Sequence, residues 1–129
     1  MQQGQCPGNA MSSADIKLIE QKYGLKFNKN VFDCDTKFTV LDDLIVNGKL
    51  TIKFGHIKGY FGCANLKLTS LQGAPRSVYG DFGCFYNNLT SLQDAPSNVG
   101  GNFWCHNNPK KFTEQDVRHV CKVNGIIIC

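Results

Sequence analysis

The sequence predicts an α/β repeat fold, in which short parallel strands stack in successive coils and a helix closes each end. Three segments, Phe61-Gly-Cys, Phe82-Gly-Cys and Phe103-Trp-Cys, recur at a spacing of 21 residues. The segment Leu-Thr-Ser-Leu-Gln begins at Leu68 and again at Leu89, with the same spacing. A fixed period of roughly 20 to 29 residues, with leucines and a β-like run in each unit, is typical of a leucine-rich-repeat-type solenoid.

The length and composition indicate one folded domain. We divide the 129 residues into a flexible tail (1–11), an N-terminal helical cap (12–40), the repeat solenoid (41–108) and a C-terminal cap (109–129). The hydrophobic content of 42% and the charged content of 19% are globular values. No apolar run approaches the roughly 20 residues that span a bilayer, and the first ten residues lack the apolar core of a signal peptide. We therefore expect a protein that is neither membrane-embedded nor secreted.

The N-terminal cap is predicted to contain one helix. Ser12 and Ser13 are candidates for its N-cap, and Gly24 is placed to end it. A helix at this place would cover the core that an uncapped repeat stack exposes. The apolar stripe expected to face the core is Ile16, Leu18, Ile19 and Tyr23. Further along, Asn47-Gly48 lies between apolar runs and predicts a turn before the alternating stretch that ends at Phe54.

Within each unit, alternation with period two is expected to send one set of side chains inward. Cys63, Cys84 and Cys105 fall at one inward position and predict a column of small buried thiols. A structural zinc site would need four ligands, typically with a close C-x2-C pair, and the chain has no such pair. We predict no metal and no cofactor. Asn87 follows the strand, where its side chain can bond the backbone of neighbouring coils.

The C-terminal cap is predicted to contain a second helix. Thr113 and Asp116 form a variant capping box, with Asp in place of the usual Glu or Gln. We place the helix at residues 116–123 and expect Asn124-Gly125 to end it. The apolar tail that follows, 126–129, must then be buried, paired as a strand or inserted into a partner.

The outward strand face is the predicted partner-binding site. Stacking three strands brings the outward positions into columns, with Gly62 and Gly83 forming an open floor beside Trp104, the only tryptophan. Exposed aromatic side chains on a sheet face are typical of interaction hot spots. A covering cap or a second copy of the chain is the alternative for this face, and a homodimer stays open. The predicted binding residues are Tyr60, Asp81, Phe85, Asn102, Trp104 and His106.

A nucleic-acid-binding function is the alternative hypothesis. A basic cluster follows Pro109, and the outward aromatic residues could stack on unpaired bases. The net charge of +4 permits such contacts without requiring them. A solvated face of the capping helix explains the same cluster, so we regard this partner as less favoured. The cluster consists of Lys110, Lys111, Arg118, His119 and Lys122.

No catalytic signature is present in the sequence. The chain lacks G-x-S-x-G, the Walker A lysine loop and H-E-x-x-H. Cys105 and His106 are adjacent, but strand alternation would put them on opposite faces of the sheet. We therefore predict a non-enzymatic protein.

The repeated unit also resembles a known class of sequences. Leu68-Thr-Ser-Leu-Gln-Gly-Ala-Pro, its copy at Leu89 and Asn102-Phe-Trp-Cys-His-Asn-Asn are similar to short leucine-rich-repeat-like units, roughly F-x-C-x-x-N-x-L-T-S-L-x-x-A-P. Such units recur in small accessory proteins of tailed bacteriophages and in giant viruses. The resemblance covers about Leu44 to Asn108, about half of the chain. It implies a phage-encoded protein in the host cytoplasm that inhibits or modulates a host protein, such as a component of a defence system.

Overall fold

The computed structural model describes residues 11–129, so the predicted flexible tail lies almost wholly outside the described residues. The α/β class is confirmed, because most strands pair in parallel and two helices flank them. Helix α1 spans Ser13–Tyr23 and helix α2 spans Glu114–Val120. Within residues 11–129, no helix is long and apolar enough to cross a membrane.

Two sheets and one hairpin account for the strands of the described residues. Sheet A contains, in spatial order, β1 (Lys26–Asn28), β2 (Val31–Cys34), β6 (Phe54–Ile57), β8 (Ser77–Val78), β10 (Asn98–Val99) and β12 (Lys122–Val123). Sheet B contains, in spatial order, β13 (Ile127–Ile128), β11 (Phe103–Trp104), β9 (Phe82–Gly83), β7 (Phe61–Gly62) and β3 (Phe38–Thr39). The separate hairpin joins β4 (Ile45–Val46) to β5 (Lys49–Leu50).

Outside the hairpin, successive strands from β2 onward alternate between the two sheets. We use the word coil for one strand of sheet A, the following strand of sheet B and the chain that leads to the next pair. The alternating pattern predicted one continuous strand per unit, with side chains that point alternately outward and inward. A turn at Gly80 divides that run into β8 and β9. In the next coil, Gly101 packs against this turn, and the N–H of Gly101 donates to Gly80 O at 3.0 Å. A Cβ on Gly80 would lie 2.9 Å from the backbone of Gly59. The close stacking of the turns therefore requires glycine here.

The core lies between the two sheets and a third wall of irregular backbone. Phenylalanines at equivalent positions of sheet B stack along its axis, with ring centroids 6.0 Å apart between Phe61 and Phe82. The predicted thiol column is confirmed, since Cys63, Cys84 and Cys105 are all buried. The third wall is supplied by the leucines of the two Leu-Thr-Ser-Leu-Gln segments, all of them buried: Leu68, Leu71, Leu89 and Leu92.

The structure confirms the predicted caps of helix α1 but only part of its predicted apolar stripe. Ser12 accepts the N–H of Asp15, and Gly24 adopts a left-handed backbone with φ of 68°. Leu18 is 64% exposed, because it lies off the helix face that packs against the core. The side chains on that face are Ile16, Ile19 and Tyr23.

The C-terminal segment differs from the predicted cap. The capping box of Thr113 and Asp116 is confirmed, but α2 begins at Glu114 and ends at Val120. The residues that follow form β12 and β13, so they add a further coil instead of extending the helix. Asn124-Gly125 is the turn between these strands, and Ile127–Ile128 pairs with β11. Stacked strands also occur before the predicted start of the repeat at residue 41, in β2 and β3.

Candidate functional site: the outer face of sheet B

The outer face of sheet B is formed by side chains that alternate with the buried phenylalanines and cysteines. Trp104 is in register with Ile128 on one side and Gly83 on the other. Gly83 is in turn paired with Gly62. Because every residue of such a row points to the same side of the sheet, the rows form a continuous surface. We use the name outer face for the outward side chains of β3, β7, β9, β11 and β13 and of the residues that flank these strands.

Four aromatic side chains meet on this surface. The rings of Phe85 and His106 stack at a centroid distance of 4.7 Å and an angle of 6°. Trp104 lies 6.3 Å from Phe85 and 6.1 Å from His106. Tyr86 lies edge-on, 6.0 Å from Phe85 and 5.9 Å from His106. We call Phe85, Tyr86, Trp104 and His106 the ring cluster.

The ring cluster is accessible from solvent. Phe85, Trp104 and His106 are half-buried, whereas Tyr86 is 56% exposed. Three of the six predicted binding residues therefore come together, joined by a tyrosine that was not among them. A half-exposed group of rings offers a large apolar area with little further loss of side-chain freedom on binding.

The expected open floor beside Trp104 is wrong. A Cβ on Gly62 would lie 2.5 Å from the ring of Tyr60, and a Cβ on Gly83 would lie 3.1 Å from both Phe85 and the Tyr60 hydroxyl. The two glycines are thus covered by rings, and they let these rings lie flat on the sheet. Partial burial raises the pKa of Tyr60, so its hydroxyl stays protonated at neutral pH.

Asp81 and Asn102 lie in the same row as Tyr60 but make bonds within the scaffold. Asp81 Oδ1 accepts the N–H of Asn102 at 2.8 Å. Asn102 Oδ1 accepts the N–H of Ile126 at 2.9 Å, one coil further on. Each side chain thereby fixes the turn of the next coil, and its Oδ1 is already engaged. Their place on the outer face agrees with the prediction, and their observed contacts are structural.

The predicted basic cluster is divided among different parts of the structure. Lys110 and Lys111 are exposed and line a cleft of about 270 Å³ that also contacts His106. Arg118 bonds Glu114 at 3.0 Å within α2 and donates to Val123 O at 3.2 Å. His119 is exposed in the last turn of the same helix.

Lys122 belongs to sheet A and not to the outer face of sheet B, although Arg118 reaches its neighbour Val123. It stands on β12 in sheet A, in register with Asn98, which places it in a row of the other sheet. Only Lys110 and Lys111 adjoin the ring cluster. The other three lie on α2 and β12, and the carboxylates of Glu114 and Asp116 lie among the five basic residues, which disfavours a phosphate backbone as their partner.

Three apolar residues of the outer face were missed by the sequence analysis. Leu41 is 60% exposed, and Ile126 is 61% exposed. Ile128 is half-buried beside Trp104. Alignment of the run from Phe38 with the run from Phe61 would have placed Leu41 in the column of Ala64. The two isoleucines carried no repeat signal, because their coil lacks the regular motif.

Within residues 11–129, no histidine ring is hydrogen-bonded to both a nucleophilic side chain and a carboxylate. His56 Nδ1 lies 2.6 Å from Ser77 Oγ on sheet A, but Asp33 Oδ1 accepts the backbone N–H of His56 and not its ring. Burial raises the pKa of Cys63 and of Cys105 to about 12, so both thiols are protonated and unreactive at neutral pH. Among residues 11–129, no group of three or more His, Cys, Asp or Glu side chains could hold a metal ion.

Comparison of the chain with protein-family models, with curated proteins and with solved structures found no match.

Proposed function

We propose that this chain is a leucine-rich-repeat-like solenoid that binds another protein through the outer face of sheet B, without catalysing a reaction. The observation that carries the proposal is the ring cluster, in which Phe85, Tyr86, Trp104 and His106 are grouped and partly open to solvent. Large apolar patches rimmed by polar groups mark protein interaction sites, and aromatic anchors supply most of their binding energy.

The apolar surface continues beyond the rings. Leu41 lies toward one end of the outer face, and Ile126 and Ile128 lie toward the other. Aliphatic side chains of this kind match the apolar centre of a protein interface, whereas unpaired bases bind by stacking on rings. This extension favours a protein over a nucleic acid as the partner.

The backbone of Tyr86 also supports a functional role. Tyr86 has φ of 54°, in the left-handed region, and the equivalent residues of the neighbouring units are Asn65 and Asn107, with φ of 59° and 60°. Asparagine tolerates this conformation, whereas a bulky side chain is strained by it. A strained residue that persists at an exposed place is a reason to infer function.

A second structural cost falls on the same cluster. His106 Nδ1 is buried and has no hydrogen-bond partner among the described residues. Buried polar atoms without partners are rare in folded proteins, because each one costs stability. Two unfavourable features thus coincide at one surface, as expected where selection acts on binding and not on stability alone.

The resemblance of the repeat unit gives the proposal its biological setting. Under it, the chain is a phage-encoded inhibitor or modulator of a host bacterial protein, acts in the host cytoplasm, and takes a component of a defence system as one candidate target. The support for this setting is the sequence motif, and the support for the binding surface is the geometry of the outer face.

A pull-down from nuclease-treated bacterial lysate, read by mass spectrometry, tests the proposal. Tyr86→Ala and Trp104→Ala are compared with Tyr79→Ala, which removes a tyrosine that is somewhat more exposed (65%) from the turn between β8 and β9. We expect one dominant protein to be recovered by the native chain and by Tyr79→Ala, and to be reduced about tenfold or more by the other two variants. Equal recovery by all four proteins would refute the outer face as the binding site.

A further inference from the structure

Unpaired positive charge borders the ring cluster on one side. Lys67, Lys110 and Lys111 are exposed, and none of them forms an ion pair with a described residue. Lys110 and Lys111 line the cleft that contacts His106. Lys67 lies between Leu66 and Leu68, whose N–H groups both donate to Asn87 Oδ1, next to Tyr86 of the ring cluster. We call Lys67, Lys110 and Lys111 the lysine rim.

Acidic groups near the ring cluster are already engaged. Asp81 accepts the N–H of Asn102, and Asp116 accepts the N–H of Thr113 in the capping box. In the turn between β6 and β7, Lys58 is paired with Asp35 at 3.7 Å. These hydrogen bonds leave the carboxylates charged, and Asp116 lies close enough to Lys110 for the lysine to lower its pKa. On the side of the lysine rim, three lysines face one such carboxylate, and none of the three forms an ion pair with a described residue.

We propose that the partner presents an apolar centre to the ring cluster and an acidic edge to Lys67, Lys110 and Lys111. Complementary charge around an apolar centre accelerates encounter and excludes wrong partners. The inference depends on the proposed function, because it specifies the chemistry of the partner on the same face. A second copy of this chain would bring two lysine rims and two net charges of +4 together, which opposes self-pairing.

A nucleic acid would also satisfy the lysines but fits the surface less well. Three lysines supply fewer contacts than the roughly six to ten phosphates that a typical DNA-binding protein neutralises. Leu41, Ile126 and Ile128 extend the surface with aliphatic groups, which do not stack on bases.

The test uses a display library of random 15-residue peptides, selected on the native protein and counter-selected on Tyr86→Ala. Enriched peptides are synthesised, and their affinities are measured by fluorescence anisotropy. One triple variant replaces the lysine rim (Lys67→Glu, Lys110→Glu, Lys111→Glu). A matched triple variant makes the same charge change at exposed lysines elsewhere (Lys17→Glu, Lys49→Glu, Lys53→Glu).

We expect enriched peptides that combine Asp or Glu with apolar residues. The rim variant should weaken their binding about tenfold or more, and the matched variant about twofold or less, because nearby charges act within a Debye length. Enriched peptides that are neutral or basic, or that bind the rim variant as well as the native chain, would overturn the acidic partner but leave the proposed function standing. A library that yields no Tyr86-dependent binder would overturn both.

Two further measurements address the other partners. The first uses a fluorescently labelled oligothymidylate of about 20 nucleotides. If it binds more tightly than the best peptide, and if this binding is lost in the rim variant, the partner is a nucleic acid and not an acidic protein. A dimer in sedimentation velocity that dissociates in Trp104→Ala would instead assign the face to a second copy of the chain. A monomer that does not bind the oligonucleotide is the expected result.

Discussion

The side chain of Asn87 bonds the backbone of Leu66, the residue that occupies its own position one unit earlier in the chain. Asn87 Oδ1 accepts the N–H of Leu66 at 2.9 Å and that of Leu68 at 3.0 Å. Its Nδ2 donates to the carbonyls of Cys63 and Cys84 at 2.9 and 3.0 Å. One buried amide therefore satisfies backbone groups of two successive coils, which irregular backbone could not pair by itself.

Replacement of this amide should be strongly destabilising. Asn87→Leu keeps the number and branching of the side-chain heavy atoms but leaves the N–H groups of Leu66 and Leu68 without their acceptor. Each buried group that loses its partner costs about 1 to 3 kcal/mol, so we expect a loss of at least about 3 kcal/mol in the free energy of unfolding. Urea unfolding followed by circular dichroism measures it.

The neighbouring Asn88 provides the control for Asn87→Leu. Asn88 is exposed, and its backbone N–H, not its side chain, bonds Leu68 O. Asn88→Leu should change the free energy of unfolding by about 0.5 kcal/mol or less. If the two leucine variants were equally stable, the bridging role of Asn87 would have to be abandoned.

In the thiol column, replacement of a cysteine by alanine should destabilise the fold less than replacement by serine. Cys84 is fully buried between Cys63 and Cys105. Cys84→Ser places a more polar group in this column, and we expect it to cost about 1 to 3 kcal/mol. Thermal unfolding should rank Cys84→Ser below Cys84→Ala, with the exposed Cys129→Ser unchanged. The opposite order of the first two would show that packing volume, not polarity, dominates at this position.

Much of the scaffold could be predicted because its residues repeat. The buried phenylalanines, thiols and leucines follow the 21-residue spacing, and Asn87 was expected to bond the backbone of neighbouring coils. Both helix caps depend on contacts between residues close in sequence, such as Thr113 with Asp116. Local and periodic signals of this kind are readable without tertiary information.

The rest depends on contacts that spacing does not encode. The division of the predicted strand at Gly80 follows from the stacking of turns in adjacent coils. The last coil breaks the 21-residue period and lacks the repeated motif, so the pairing of Ile128 with Trp104 could not be predicted from the sequence. Tyr86 was missed because a turn position is expected to hold Asn, and its exposure is visible only once the rings of Phe85 and His106 are located.

The capping box gives the stability a component that depends on pH. The hydrogen bond from the Thr113 N–H lowers the pKa of Asp116 below its ordinary value of 3.8. A carboxylate with a lowered pKa in the folded state adds stability above the ordinary pKa, and this stability is lost as the pH falls through the lowered value. Asp116→Asn keeps an acceptor oxygen but not the charge. It should therefore be less stable than the native chain at neutral pH, and the difference should vanish in strong acid.

Urea midpoints measured at about pH 7, 4 and 2 follow this component, since the linkage acts only where the protonation of Asp116 differs between the folded and unfolded states. Glu114→Gln is the control, because Glu114 pairs with Arg118 on the exposed surface of α2 and takes no part in the capping box. A constant difference between Asp116→Asn and the native chain across this range would exclude the charge of Asp116 as its cause.

Tyr86→Asn should stabilise the fold while it weakens binding. The substitution installs the residue that the neighbouring units carry at this left-handed position, Asn65 and Asn107. Removing a strained side chain here should add about 0.5 to 1 kcal/mol to the free energy of unfolding, since a left-handed backbone costs most residues about 1 to 2 kcal/mol. The same change deletes an exposed member of the ring cluster, so the affinity for the captured partner or selected peptides should fall about tenfold. Tyr79→Asn, at the corner between the sheets, should do neither. Opposite signs for stability and affinity distinguish a residue kept for binding from one kept for packing, since a packing role would make both quantities fall together.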